Sequence, residues 1–460
     1  MEAIMKTKIN LTTLLVFFLI VFTGFQLEAK PDLKNVIIIS VDTLRSDHLG
    51  CYGYPLNTSP NIDAFSRDSI RFSHCYTLTP LTAPSFSTLL TSLPPHKHGA
   101  KRNGLSIYQH VKTLPYFLKR FGYHTAAFIS NWPLKKHLAR LNEGFDDYVE
   151  IFTKKRYMGI INSEGEAPAV NEKAIDWLEK NHKKRFFLWV LYVEPHRPYI
   201  SHENFTFDYQ GVPSSVYPPG TRMKKIKNYD SEIAFTDFYI GRLLERLKSL
   251  GLYREALIIF HSDHGESFGE HNYFRHGRRL YNSTVHVPLM IKLPYNWLKN
   301  TIRRENISLL DISPTILSVL NIPNPSHMEG IPLFKEGAGF LDRQILLETY
   351  AGTVHLKRNN KNYHLQIKPI RYGIIDGSSK IIYNFKEKTF EAYRVIDDPF
   401  EGQNIFVEES STLGPMRKQL ENRLQRMSKY IKYNRMYRLN QTSDISKEDF
   451  DMLKSLGYIE

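Results

Sequence analysis

A chain of 460 residues, 42% of them hydrophobic, can bury one large core or two modest ones, and nothing in its composition marks it as disordered. Lys and Arg number 61 against 47 Asp and Glu, a formal net charge of +14, yet no nucleic-acid motif accompanies the basic runs Lys224-Lys225-Ile226-Lys227 and His276-Gly277-Arg278-Arg279. That excess reads either as a solvated face or as attraction for an anionic polymer or membrane surface, and two cysteines, Cys51 and Cys75, exclude a disulfide scaffold.

In chain order, Lys6 and Lys8 precede an apolar run from Leu11 to Phe25 and then Leu27-Glu28-Ala29, the pattern of a secretory signal peptide over residues 1–29. An uncleaved membrane anchor is the alternative, because Leu27 stands where a small residue suits cleavage. Either way the remaining chain is expected to be secreted, periplasmic or at the cell surface. Residues 30–365 alternate short β-branched or aromatic runs with amphipathic stretches, which predicts an α/β domain with a mainly parallel central sheet flanked by helices. Strands are predicted over 36–41, 125–129, 186–193 and 256–260. Helices are predicted over 113–121, 170–181 and 229–250, with Gly122 and Gly251 as stops. From residue 366 to 460 the pattern changes to short strands over 371–375, 380–383 and 389–393, then a helix over 413–430. This predicts a C-terminal subdomain with a small antiparallel sheet and a helix.

Two of the apolar runs end in ionisable residues. Val36 to Val41 empties into Asp42, and Leu257 to Phe260 continues as His261-Ser262-Asp263-His264-Gly265. Such endings pack poorly and hold cations well, and in a parallel sheet they fall at the carboxyl ends where ligands gather. Asp42, Asp263 and His264 are therefore read as ligands of one divalent cation. Thr82, in Thr82-Ala83-Pro84-Ser85, offers a hydroxyl at a predicted helix N-terminus.

The segment Val41-Asp42-Thr43-Leu44-Arg45-Ser46-Asp47-His48-Leu49-Gly50-Cys51-Tyr52-Gly53, with Ser262-Asp263-His264-Gly265-Glu266, resembles the sulfatase family of the alkaline phosphatase superfamily. The resemblance aligns Thr82 to Phe86 with the signature Cys-x-Pro-Ser-Arg, placing Thr82 at the Cys that becomes formylglycine and Phe86 at the Arg. It implies Thr82 as nucleophile and fourth metal ligand. It implies His196 of Glu194-Pro195-His196-Arg197-Pro198-Tyr199 as the acid at the leaving oxygen, and His276 as an anion contact. Arylsulfatases carry a Lys and a His after the strand ending near Ile129, where this chain has Ser130-Asn131-Trp132, so Asn131 is left as the substrate contact. Relative to calcium-dependent arylsulfatases, Thr43 replaces a carboxylate and His264 an Asn. That softens the site and leaves calcium, manganese and zinc all open.

No formylglycine is expected. A formylglycine hydrate expels sulfate by collapsing its second hydroxyl, whereas a threonine ester must be cleaved by attack at the central atom, which suits phosphoryl chemistry. The expected function is thus metal-dependent hydrolysis of an anionic ester, leaning to phosphoesters or phosphonates. Alternatives are a sulfuric ester hydrolase on a sulfated glycan, a transferase passing a phospho-group to a glycan or lipid, and a binder of anionic glycans without turnover. The expected partner is the anionic ester itself, glycan- or lipid-linked, with no nucleic acid and with a membrane only if the leader stays attached.

Overall fold

The computed structural model describes residues 35–153, 164–217, 220–335, 343–350 and 369–433; the leader expected over residues 1–29 lies outside them. In chain order the described strands are β1 (Val36–Val41), β2 (Ile70–Tyr76), β3 (His124–Ile129), β4 (Asp147–Glu150), β5 (Phe186–Tyr192), β6 (Leu257–Ser262), β7 (Ser267–Phe268), β8 (Phe274–Arg275), β9 (His286–Lys292), β10 (Thr301–Ser308), β11 (Gln344–Thr349), β12 (Arg371–Asp376), β13 (Ser379–Asn384) and β14 (Thr389–Arg394). The helices that matter here are α1 (Pro60–Arg67), α2 (Thr82–Thr91), α3 (Leu114–Arg120), α4 (Ala167–Asn181), α5 (Met223–Ser249), α6 (Ile312–Val319) and α7 (Ser410–Tyr433).

Eight strands form one sheet in the order β10-β2-β9-β6-β1-β5-β3-β4, in which only β9 pairs antiparallel with its neighbours. The continuous apolar sequences of β1, β5 and β6 suit strands covered on both faces, and all their residues are buried. Side chains alternate between the two covering layers. Val36 and Ile38 of β1 pack with Phe86, Leu89 and Leu90 of α2, Leu114 and Leu118 of α3, and Ile312 and Ile316 of α6. Ile37, Ile39 and Val41 pack with Ile62 and Phe65 of α1, Val170 and Leu178 of α4, and Ile233, Ile240 and Leu243 of α5. Each such aliphatic side chain contributes about 1.5–3 kcal/mol on burial.

The small sheet runs β11-β12-β13-β14, antiparallel throughout, and takes its first strand from before residue 366. One face, with Ile345, Leu347, Ile375 and Ile382, lies on Tyr76, Leu280 and Val285 of the larger part. The other, with Tyr372, Ile374 and Ile381, is covered by Leu413, Met416 and Leu420 of α7. Among the described residues no helix is long and apolar enough to cross a membrane.

Candidate active site and metal centre

β1 lies between β5 and β6, with Val41 in register with Tyr192 and Ser262. The residues that follow, Asp42 and Asp263, are therefore delivered side by side, and Asp42 is fixed by its N–H donating to Tyr192 O at 2.9 Å. Asp263 Oδ1 accepts from the Thr43 and His264 amides at 3.1 and 2.8 Å. Asp42 Oδ2 accepts from Asn131 Nδ2. The other oxygens, Asp42 Oδ1 and Asp263 Oδ2, are buried with no hydrogen-bond partner among the described residues. His264 Nδ1 bonds Gly265 O at 3.0 Å, which leaves the Nε2 lone pair facing Asp263 Oδ2 at 3.4 Å and Asp42 Oδ1 at 3.9 Å.

All three side chains are buried, and one ligand atom from each lies within 4.8 Å of the others. Burial pushes the Asp42 carboxyl well up, and repulsion from Asp263 adds to it. Burial also raises Asp263 and lowers the His264 imidazole to about 4. Two buried carboxylate oxygens without donors, beside an unprotonated ring nitrogen, fit a divalent cation. Gly265 makes the turn possible, since a Cβ there would meet Ser283 O at 2.2 Å. Its amide donates to Thr284 O at 2.9 Å.

Thr82 opens α2, and its Oγ1 lies 3.4 Å from His264 Nε2. The next amide, of Ala83, donates to Asn103 Oδ1 at 2.9 Å, and Ser85 Oγ donates to Asp263 O at 2.8 Å, so the helix start is bonded directly to the strand end that carries the metal motif. Phe86 points into the core, its ring 5.0 Å from Trp189 and 5.9 Å from His261.

His196 and His276 complete the pocket, with ring centroids 5.5 Å apart and His276 4.3 Å from His264. His196 Nδ1 lies 3.2 Å from Glu164 Oε1, and His276 Nδ1 lies 3.3 Å from Glu266 Oε1. Burial lowers His276, opposed by the Glu266 charge. Burial would raise Glu266, but the His276 charge and the hydrogen bonds from His276 and the Tyr199 hydroxyl hold it at about 2. Arg45 braces this wall and pairs with Asp47 at 2.6 Å. It also donates to Glu266 O at 2.9 Å and to Glu270 Oε1 at 2.5 Å.

Asp42, Asp263, His264, Thr82, His196 and His276 thus converge. Asn131 stands beside them and gives its Nδ2–H to Asp42 Oδ2. Glu164, Glu266 and Asn103 were not singled out from sequence. Glu266 sat within the quoted motif, whereas Glu164 and Asn103 carry no local signal. Asp230 and Asp237 of α5 lie outside this cluster and are engaged elsewhere. Asp230 bonds His48, Tyr54 and Tyr209, and Asp237 accepts the Asn61 and Ile62 amides.

The family profile described as Sulfatase matches residues 34–322. The chain belongs to the sulfatase family. A second profile, N-sulphoglucosamine sulphohydrolase, C-terminal, matches residues 269–430. This sulfatase-family hydrolase is 27% identical to an arylsulfatase of Clostridium perfringens over 65% of its own length and 77% of that protein's. It is 24% identical to an N-acetylglucosamine-6-O-sulfatase of Bacteroides thetaiotaomicron, covering 81% and 82%. Its fold matches a structure solved with its substrate D-glucosamine-2-N,6-O-disulfate at TM-score 0.69 and 22% identity, covering 88% of this chain and 99% of that one. It also matches the phosphonate monoester hydrolase of Agrobacterium radiobacter at TM-score 0.68 and 20% identity, covering 85% and 96%. Sulfatase-family members and these neighbours are ester hydrolases, and members of the family bind a divalent metal.

Proposed function

We propose that this chain hydrolyses an anionic ester through an intermediate on Thr82, with phosphorus as the preferred central atom. The observation that carries this reading is the position of Thr82 Oγ1, at the N-terminus of α2 and 3.4 Å from His264 Nε2, beside two carboxylates with unpartnered oxygens. Asp42, Asp263, His264 and Thr82 would hold one divalent cation, which supplies positive charge that lowers the hydroxyl pKa and offsets charge on a nonbridging ester oxygen. Thr82 loses its proton to water and its oxygen attacks the central atom as the bond to the leaving oxygen breaks. His196, oriented through Nδ1 by Glu164, presents Nε2 to protonate that oxygen. His276, oriented by Glu266, contacts a nonbridging oxygen. Water then attacks the same atom, giving a proton to His196, and the bond to Thr82 breaks as its oxygen takes back a proton from water.

Preference for phosphorus follows from threonine, which has no second hydroxyl with which to expel the group from carbon. The glucosamine disulfate and N-acetylglucosamine-6-O-sulfatase relatives favour a second reading, a sulfuric ester on a glycan cleaved through the same residues. Export of the chain is also proposed, on its N-terminal pattern. The test is turnover of bis(4-nitrophenyl) phosphate and 4-nitrophenyl sulfate with added manganese, zinc or calcium. Phosphodiester cleavage lost in Thr82→Ala supports the reading, and sulfate cleavage alone selects the second. No turnover of either by the wild type rejects both.

A further inference from the structure

Four cations stand on the His276 side of the site. Arg197 directly follows His196, Arg275 directly precedes His276, and Arg222 and Lys225 open α5. Arg222 Cζ lies 4.4 Å and Lys225 Nζ 4.8 Å from the centroid of one ring, Phe274. The Arg222 amide reaches Phe268 O at 3.4 Å, which ties the start of α5 to the β7–β8 hairpin that carries Arg275. Among the described residues none of the four makes an ion pair with a carboxylate, unlike Arg45, which has two. Burial lowers the Lys225 ammonium, Arg222 lowers it further, Glu266 opposes, and Arg197 and Arg275 add to the depression.

A solvated basic face spreads its charges or interleaves them with acids. Here they converge on the elements that carry His196 and His276. Arg275 sits there with φ of 77°, a left-handed backbone that a side-chain-bearing residue rarely adopts. Like charges gathered in this way favour an anion among them.

We propose that Arg197, Arg222, Lys225 and Arg275 form a second anion subsite, so that the substrate carries a further sulfate or phosphate on its leaving-group portion. This deepens the reading of the Thr82 site and rests on it for the direction in which the leaving group points. Isothermal titration of the metal-loaded Thr82→Ala protein compares D-glucosamine-2-N,6-O-disulfate with D-glucosamine 6-O-sulfate, and glucose 1,6-bisphosphate with glucose 6-phosphate. In at least one pair the doubly anionic compound should bind about tenfold tighter or more, with a difference that shrinks as salt rises. Arg222→Ser with Lys225→Ser should erase the difference, and Lys225→Arg should keep it. Equal binding in both pairs, no saturable binding of any compound, or a difference that survives the double substitution overturns the subsite. Turnover measured in parallel separates the two readings: a Thr82→Ala protein that still cleaves ester but discriminates the pairs rejects the nucleophile and supports the subsite.

Discussion

Thr82 is a small, fully buried residue whose hydroxyl meets His264, itself beside the Asp42 and Asp263 carboxylates, and its role can be separated from helix capping by substitution. Thr82→Ser keeps the nucleophilic oxygen and should retain turnover. Thr82→Ala removes it and should lower kcat by about a thousandfold or more in a steady-state assay. A capping threonine would instead lose about 1 kcal/mol of stability with activity intact. Glu266 offers a pH test. Its carboxyl is held at about 2 in the folded protein, below its ordinary 4.5, so it contributes stability that is present above pH 4.5 and lost as pH falls towards 2. Urea unfolding of wild type and Glu266→Gln should show a gap of up to about 3 kcal/mol at pH 6 that closes between pH 4.5 and 2.

At the scale of elements, the site depends on where strands and helices end. The β1 and β6 endings were legible because an apolar run that stops at Asp cannot continue as packed strand, and both runs form central strands in the register that pairs Val41 with Ser262. β9, β10 and β4 were not read from sequence. Pro288 interrupts β9, charged Arg303, Arg304 and Glu305 occupy edge strand β10, and β4 is a four-residue edge. Glu164 was invisible because its pairing with His196 spans 32 residues of chain and depends on folding alone. Asp237 of α5 accepts the Asn61 and Ile62 amides at the first turn of α1, and Gly241, one turn on, leaves no space for a Cβ, which would lie 2.6 Å from the Asn61 side chain. Asp237→Ala should therefore cost about 1–3 kcal/mol in denaturant unfolding. Gly241→Ala should also destabilise, by pushing Asn61 off Asp237, despite the better helix propensity of alanine.

At the scale of the whole molecule, the large sheet joins two layers of helix, and the Asp42 and Asp263 carboxyls follow its central strands side by side, where burial raises both. Removing the cation should leave both carboxylates repelling each other in a dry site. Chelation should thus lower Tm, by an amount matching about 2.7 kcal/mol where metal had been a hundredfold above its Kd. Asp42→Asn should abolish that metal-dependent shift and yet melt above the chelated wild type in calorimetry, because it removes one of the two repelling charges.

Whether Thr82 carries the substrate's central atom is read from the mass of the Thr82 peptide after acid quench during turnover of bis(4-nitrophenyl) phosphate by the metal-loaded protein. A 4-nitrophenyl phosphate ester on Thr82, absent from the metal-free protein, is the predicted result. Full turnover with Thr82 unmodified, or undiminished turnover by Thr82→Ala, would rule out Thr82 as the nucleophile.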